Sequence, residues 1–278
     1  MEATLIAAVL FAALLHASWN ALVKIGGDGL LTIFLFKVLS APIAVVVLVF
    51  TGVPNIDSLP YALSSGMVLL FYCIFLGHAY QHADFSLVYP IARGVAPPAV
   101  AVLAMVFAGE TLKGPMLIGM AVVSVGILLL TYSRRIEHTM MLGLMSAAGV
   151  GITIAAYTLL DGVGARVSGN AIAYMALLNL ASLLPIGVYV LIRHRRAGIE
   201  LIIHEWRRGV IGGGIMYLAY GIVIYSLTHA PMAMVAALRE TSVIIAAVIG
   251  TRLLNEPFGL RRFIAASVVA VGVAVIIM

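Results

Sequence analysis

Two arginines stand where arginines are costly. Arg93 lies in Tyr89-Pro90-Ile91-Ala92-Arg93-Gly94, inside an apolar run from Phe85 to Phe107, and Arg239 lies 146 positions further on, in Leu238-Arg239-Glu240-Thr241-Ser242. Near the middle of a spanning helix an arginine costs about 2.5 to 3.5 kcal/mol on insertion scales, so a chain that keeps two of them uses both. What arginine offers beyond a smaller polar residue is a planar fork, able to hold a carboxylate or phosphonate in two parallel hydrogen bonds. The competing role is an internal ion pair or carbonyl cap that locks helices together, with Glu240 and Asp84 as the candidate partners. Lys37, midway along another apolar run, is a third intramembrane cation. With Glu240 ionised the four groups remain net positive, which suits an anionic or zwitterionic ligand, although snorkelling would let Lys37 escape to an edge.

Glu240 follows Arg239 directly, and consecutive helical residues point roughly 100° apart, so the two do not simply face one another. Glu240 either faces a cavity, where it can carry a proton in each cycle, or pairs with an arginine of a neighbouring helix. Trp19, Asn20, Tyr72, Tyr89, Tyr157, Tyr217 and Tyr220 lie within apolar runs where their polar tips need partners, in a pocket or at an interface. The expected binding set is therefore Arg93, Arg239, Tyr89, Trp19, Asn20, Lys37, Glu240 and Tyr157.

Other polar residues read as structural. Glu110 and Glu256 close the fourth and ninth apolar runs, beside the expected N-termini of the fifth and tenth, where a carboxylate accepts unpaired amides and meets the positive end of the helix dipole. His78 and His82 are spaced i, i+4 near Asp84, but no glutamate lies between them as in a zinc-protease helix, so no metal site is expected. His16 reads as a helix-packing histidine. No cofactor and no catalytic residue are expected either: Gly-X-Ser-X-Gly, His-Glu-X-X-His and paired catalytic aspartates are missing from the runs, and without a P-loop the chain is not itself an ATP-driven pump.

The elements that must position these groups follow from composition. Of 278 residues, 63% are hydrophobic and 10% charged, against about 25% charged in an ordinary soluble domain. Such a chain has the lipid bilayer as its solvent. Its formal charge of +5 sits in short loops, as a topology signal and not a nucleic-acid footprint. The single cysteine, Cys73, forms no internal disulfide. The first apolar run lacks a basic lead-in and a cleavage site and is expected to be a retained helix.

At roughly 18 to 22 residues per span, ten segments can be placed: 3–23, 30–50, 61–80, 85–107, 115–132, 140–160, 170–192, 210–228, 232–250 and 261–277. The one long connection, 193–209, carries basic residues and Trp206 and is expected to be a short helix lying at the headgroups. Pro90, Pro97 and Pro98 are expected to break span 4, and the glycines at 209, 212, 213 and 214 to allow close helix approach. On one side lie Lys24, Arg134, Arg135, Arg193, Arg195, Arg196, Arg207, Arg208, Arg252, Arg261 and Arg262; on the other lie Lys113 and Arg166. The first side is then cytoplasmic and both termini lie outside it.

The offset that relates the arginines also carries Glu110 onto Glu256 and Gly126 onto Gly272. The chain reads as a duplicated unit, residues 1–135 and 136–278, of five spans each. An odd number of spans makes the second copy enter from the opposite side, an all-α inverted repeat. Arg93 and Arg239 each lie about nine residues along their spans, roughly 13 Å deep at a 1.5 Å rise, near the midplane. Inverted repeats with polar groups at the midplane are the architecture of secondary transporters. An intramembrane enzyme or a receptor is the alternative, but the longest loop is too short for a signalling domain.

Tyr89-Pro90-Ile91-Ala92-Arg93-Gly94, Pro97-Pro98, Gly109-Glu110, Leu238-Arg239-Glu240-Thr241-Ser242 and Asn255-Glu256-Pro257 together resemble the EamA branch of the drug/metabolite transporter superfamily, over nearly the whole chain. The opening from His16 to Lys24, with the arginine motifs, most resembles a subgroup associated with phosphonate catabolism. The resemblance implies ten helices from a five-helix duplication, and import or export of a small metabolite such as an amino acid across the cytoplasmic (inner) membrane. A monomer or weak homodimer is expected.

Overall fold

In hydrocarbon every backbone amide and carbonyl needs a partner within its own segment or a closed sheet, so apolar runs of this length become helices. The computed structural model describes residues 2–83, 85–129, 138–245 and 260–277, and these form helices and short connections, with no strand among them. In order they are α1 (Ala3–Ile25), α2 (Gly29–Thr51), a 3-10 turn (Ile56–Ser58), α3 (Leu59–His82), α4 (Phe85–Phe107), α5 (Gly114–Leu128), α6 (His138–Val167), α7 (Ala171–Arg193), α8 (Arg195–His229), α9 (Met232–Arg239) and α10 (Leu260–Ile277). Seven, α1 to α4 and α6 to α8, are long and apolar enough to cross a membrane. Helix α9 stops after eight residues: the chain turns at Glu240 and resumes as helix over 241–245.

Burial is arranged for a lipid solvent. Phe50, Val49, Phe107 and Ile192 point outward, each at least 70% exposed, while Lys37, Arg93, Asp161, Arg239 and Glu240 are all buried. The protein is a multi-pass helical membrane protein.

Local sequence explains where helices start. Asp28 and Asn170 cap α2 and α7: Asp28 Oδ1 accepts from the Leu31 amide at 3.0 Å, and Asn170 Oδ1 from the Ile172 and Ala173 amides at 3.1 and 3.2 Å. Each cap follows a glycine in the left-handed region, Gly27 at φ 79° and Gly169 at φ 70°. Helices α3 and α8 end alike. His82 and His229 each contact the ring four residues earlier at 4.3 Å, and the next residue, Ala83 or Ala230, is extended.

Three expectations about boundaries are corrected. The connection 193–209 shrinks to His194: α8 begins at Arg195 and bends at Glu205 (φ −115°, ψ 18°). Leu201 and Ile202 pack this first part of α8 against apolar residues of α2, which include Leu35 and Phe36, and the half-exposed Trp206 lies just past the bend. The sixth helix does not stop at residue 160 but runs to Val167, because Asp161 finds its partner inside the bundle. Helix α4 continues through Pro90, Pro97 and Pro98 unbroken.

Small residues set the helix spacing. A Cβ on Gly213 would lie 2.5 Å from the Phe36 carbonyl oxygen, and one on Gly212 2.2 Å from the Phe36 ring, so α8 lies directly against α2; Gly214 faces open space. Gly119 and Gly272 do the same between α5 and α10, each leaving under 3 Å to the other's carbonyl oxygen.

Candidate functional site

Arg93 comes into the bundle from α4, one turn before Pro97. Its Nη2 donates to Ser242 Oγ at 2.8 Å, and its Nε lies 3.3 Å from Glu240 Oε2. Glu240 reaches it because the backbone turns at that residue, with its amide bonded to the Ala237 carbonyl, directing the carboxylate towards α4. Of the two roles open to Glu240, the geometry shows the interhelical partner.

Arg239 is placed differently. It is equally buried, yet among the described residues its guanidinium makes no hydrogen bond or ion pair; it lies over the Tyr220 ring, 5.5 Å from the centroid. Tyr220 continues into a row of aromatic rings, edge to face with Tyr157 at 6.3 Å, which is edge to face with Tyr72 at 6.3 Å. These rings come from α8, α6 and α3. Both arginines lie within electrostatic range of His16, Tyr157 and Glu240, so α1, α4, α6 and α9 converge on one region. The three tyrosines and His16 lie within the bundle and are only part-buried, so the rings pack against apolar residues and still keep some surface open.

The remaining expected residues divide. Tyr157 belongs to this region. Asn20 gives its amide to the His16 carbonyl at 2.7 Å, on its own helix. Trp19 meets His16 edge-on at 4.8 Å and packs with Leu35, Phe36 and Met216. Lys37 does not escape to an edge: it is buried, and its Nζ donates to Ser182 Oγ of α7 at 2.8 Å, beside a Ser40–Asn179 pair. The Tyr89 side chain, Asp84 and Glu256 lie outside the described residues.

Asp161 was not among the expected residues. It is 1% exposed, accepts a hydrogen bond from the Tyr220 hydroxyl at Oδ2, and lies within electrostatic range of Lys37 and Arg239. The signal was in the sequence: Asp161 is four residues beyond Tyr157, on the same helical face, and a helix extended to Val167 places it inside the bundle.

Glu110 caps a helix, but not the one expected. Helix α4 ends at a left-handed glycine, Gly109 at φ 63°, with the Ala108 and Glu110 amides both bonded to the Ala104 carbonyl at 3.1 Å. The Glu110 carboxylate accepts the Met232 amide at 2.9 and 3.1 Å, capping α9 and not α5. Arg166 bonds Glu110 at 2.6 Å and donates to the Leu227 and Ala230 carbonyls at the end of α8, clasping the α8–α9 corner. His78 and His82 are engaged locally, with Ser146 Oγ and the His78 carbonyl at 2.8 and 2.9 Å.

No family model matches the chain, and no curated protein does. The architecture recurs among solved structures, 29 chains of which match. One, described only as the crystal structure of a protein, is 16% identical over 99% of this chain and 96% of its own, with a TM-score of 0.74. At that identity the likeness shows the fold alone.

Proposed function

We propose that the chain is a secondary transporter of the EamA type, a ten-span inverted repeat that moves a small anionic or zwitterionic metabolite, such as an amino acid or phosphonate, by alternating access. The observation that carries this reading is Arg239: a buried guanidinium with no ion pair or hydrogen bond among the described residues, stacked on the part-buried Tyr220. A fork so placed is preorganised for a carboxylate or phosphonate, and the substrate's charge would supply the missing bonds.

Helix packing supports the repeat. Exchanging the first five helices with the second five carries the α1–α8 contact onto α6–α3, α2–α8 onto α7–α3, and α1–α9 onto α6–α4. The α2–α7, α4–α9 and α5–α10 contacts map onto themselves. This is the pattern expected of two halves related by a twofold axis in the membrane plane.

Counterflow in proteoliposomes tests the function and separates a carrier from an enzyme or receptor. Vesicles preloaded with 2-aminoethylphosphonate, L-glutamate or L-alanine are expected to take up a radiolabelled trace of at least one of these compounds. Folded protein that exchanges none of the three counts against the reading.

The loop charges also support an orientation with both termini outside the cytoplasm of an inner-membrane protein. A periplasm-active phosphatase fused after Met278 is expected to be active, and fluorescence from a cytoplasm-only reporter at that position would reverse the assignment.

A further inference from the structure

Asp161 is a buried carboxylate with too few partners. An ionised carboxylate offers about four acceptor sites. Here Oδ2 accepts from Tyr220 and the Ser65 hydroxyl lies close enough to act on the carboxylate, while Oδ1 makes no hydrogen bond of ordinary geometry among the described residues. The groups that face it are Lys37 from α2, Ser65 from α3, Tyr174 from α7, Tyr220 from α8, Arg239 from α9, and Tyr157 from its own helix. Two are cations, and neither forms a salt bridge with it: Lys37 donates to Ser182, and Arg239 lies over the Tyr220 ring.

Tyr220 is the connection. Its hydroxyl binds Asp161, and its face carries Arg239. The charge on Arg239 is therefore felt both by a substrate anion and by Asp161. When an anion docks on the guanidinium it cancels part of the positive field at Asp161, the rest of which comes from Lys37, and a proton on Oδ1 restores the local balance. Two ligands that each relieve the other's charge bind with positive cooperativity, and the coupling is reciprocal.

We infer that Asp161 is the proton-coupling site of this carrier, taking one proton on Oδ1 as the substrate anion docks on Arg239 and releasing it on the other side of the membrane. Glu240, tied to Arg93, is then not the coupling carboxylate. The inference rests on the transporter reading above, and its test keeps the two apart.

Counterflow requires binding and exchange but no net proton movement, whereas accumulation against a gradient requires coupling. Full-length protein in sodium-free proteoliposomes is given 2-aminoethylphosphonate, L-glutamate and L-alanine, and both activities are measured with an internal pH dye. With one proton per anionic charge, a gradient of one pH unit sustains about a tenfold accumulation. Wild type is expected to show counterflow, accumulation and proton entry. Asp161→Asn is expected to keep counterflow, which also certifies its fold, and to lose the accumulation and the proton signal. Asp161→Glu is expected to restore both. Accumulation surviving in Asp161→Asn overturns the inference, as does wild type that shows counterflow but neither accumulation nor proton entry under a pH gradient, or that accumulates substrate only with sodium. Absence of counterflow in wild type overturns the transporter reading itself, and the inference with it.

Discussion

Arg239→Lys is expected to bind the anionic substrate about tenfold to a hundredfold more weakly than wild type while unfolding near the wild-type temperature. The lysine keeps the positive charge but loses the fork, and a hydrogen bond to a charged group contributes about 1.5 to 3 kcal/mol. Stability should change little, because among the described residues Arg239 is held only by its stacking on Tyr220, an interaction of about 0.5 to 2 kcal/mol that lysine retains in part. Arg239→Gln removes the charge as well and should lower affinity further. Calorimetric titration of the purified protein, with a melting curve for each variant, separates binding from folding. Unchanged substrate affinity in a folded Arg239→Lys protein would sink the binding role.

Glu240→Ala should do the reverse, lowering stability by about 3 to 5 kcal/mol, because it leaves Arg93 buried with its ion pair broken. Arg93→Ala should be comparable, for it strands the Glu240 carboxylate and removes the donor to Ser242. The double variant Arg93→Leu/Glu240→Leu should recover much of the loss, since an apolar pair of similar volume avoids the desolvation of both charges. A double-mutant cycle on reversible unfolding in detergent measures the coupling. Single variants as stable as wild type would show that the 3.3 Å contact contributes nothing.

The two arginines thus have different expected phenotypes although their motifs match at an offset of 146 residues. Among the differences between their sequence contexts is the carboxylate that follows Arg239 and has no counterpart after Arg93, where Gly94 stands. That carboxylate is what Arg93 uses.

Hydropathy is a property of consecutive residues, so the amino-acid sequence alone determined the apolar runs, the setting of Arg93 and Arg239 within them, and the matching motifs 146 residues apart. Partner choice was not legible, because it depends on residues brought together from distant points of the chain. Arg93 meets Ser242 across 149 residues, Glu110 meets the Met232 amide across 122, and Lys37 meets Ser182 across 145. Asp161 was hidden by a boundary. A falling hydropathy ended the sixth span at residue 160, whereas the helix continues because Tyr220, on another helix, takes up the carboxylate. The spans could be read from composition because lipid imposes the same requirement on every segment; which buried charges are paired and which stay open was decided only when α4, α6, α8 and α9 packed around a common interior.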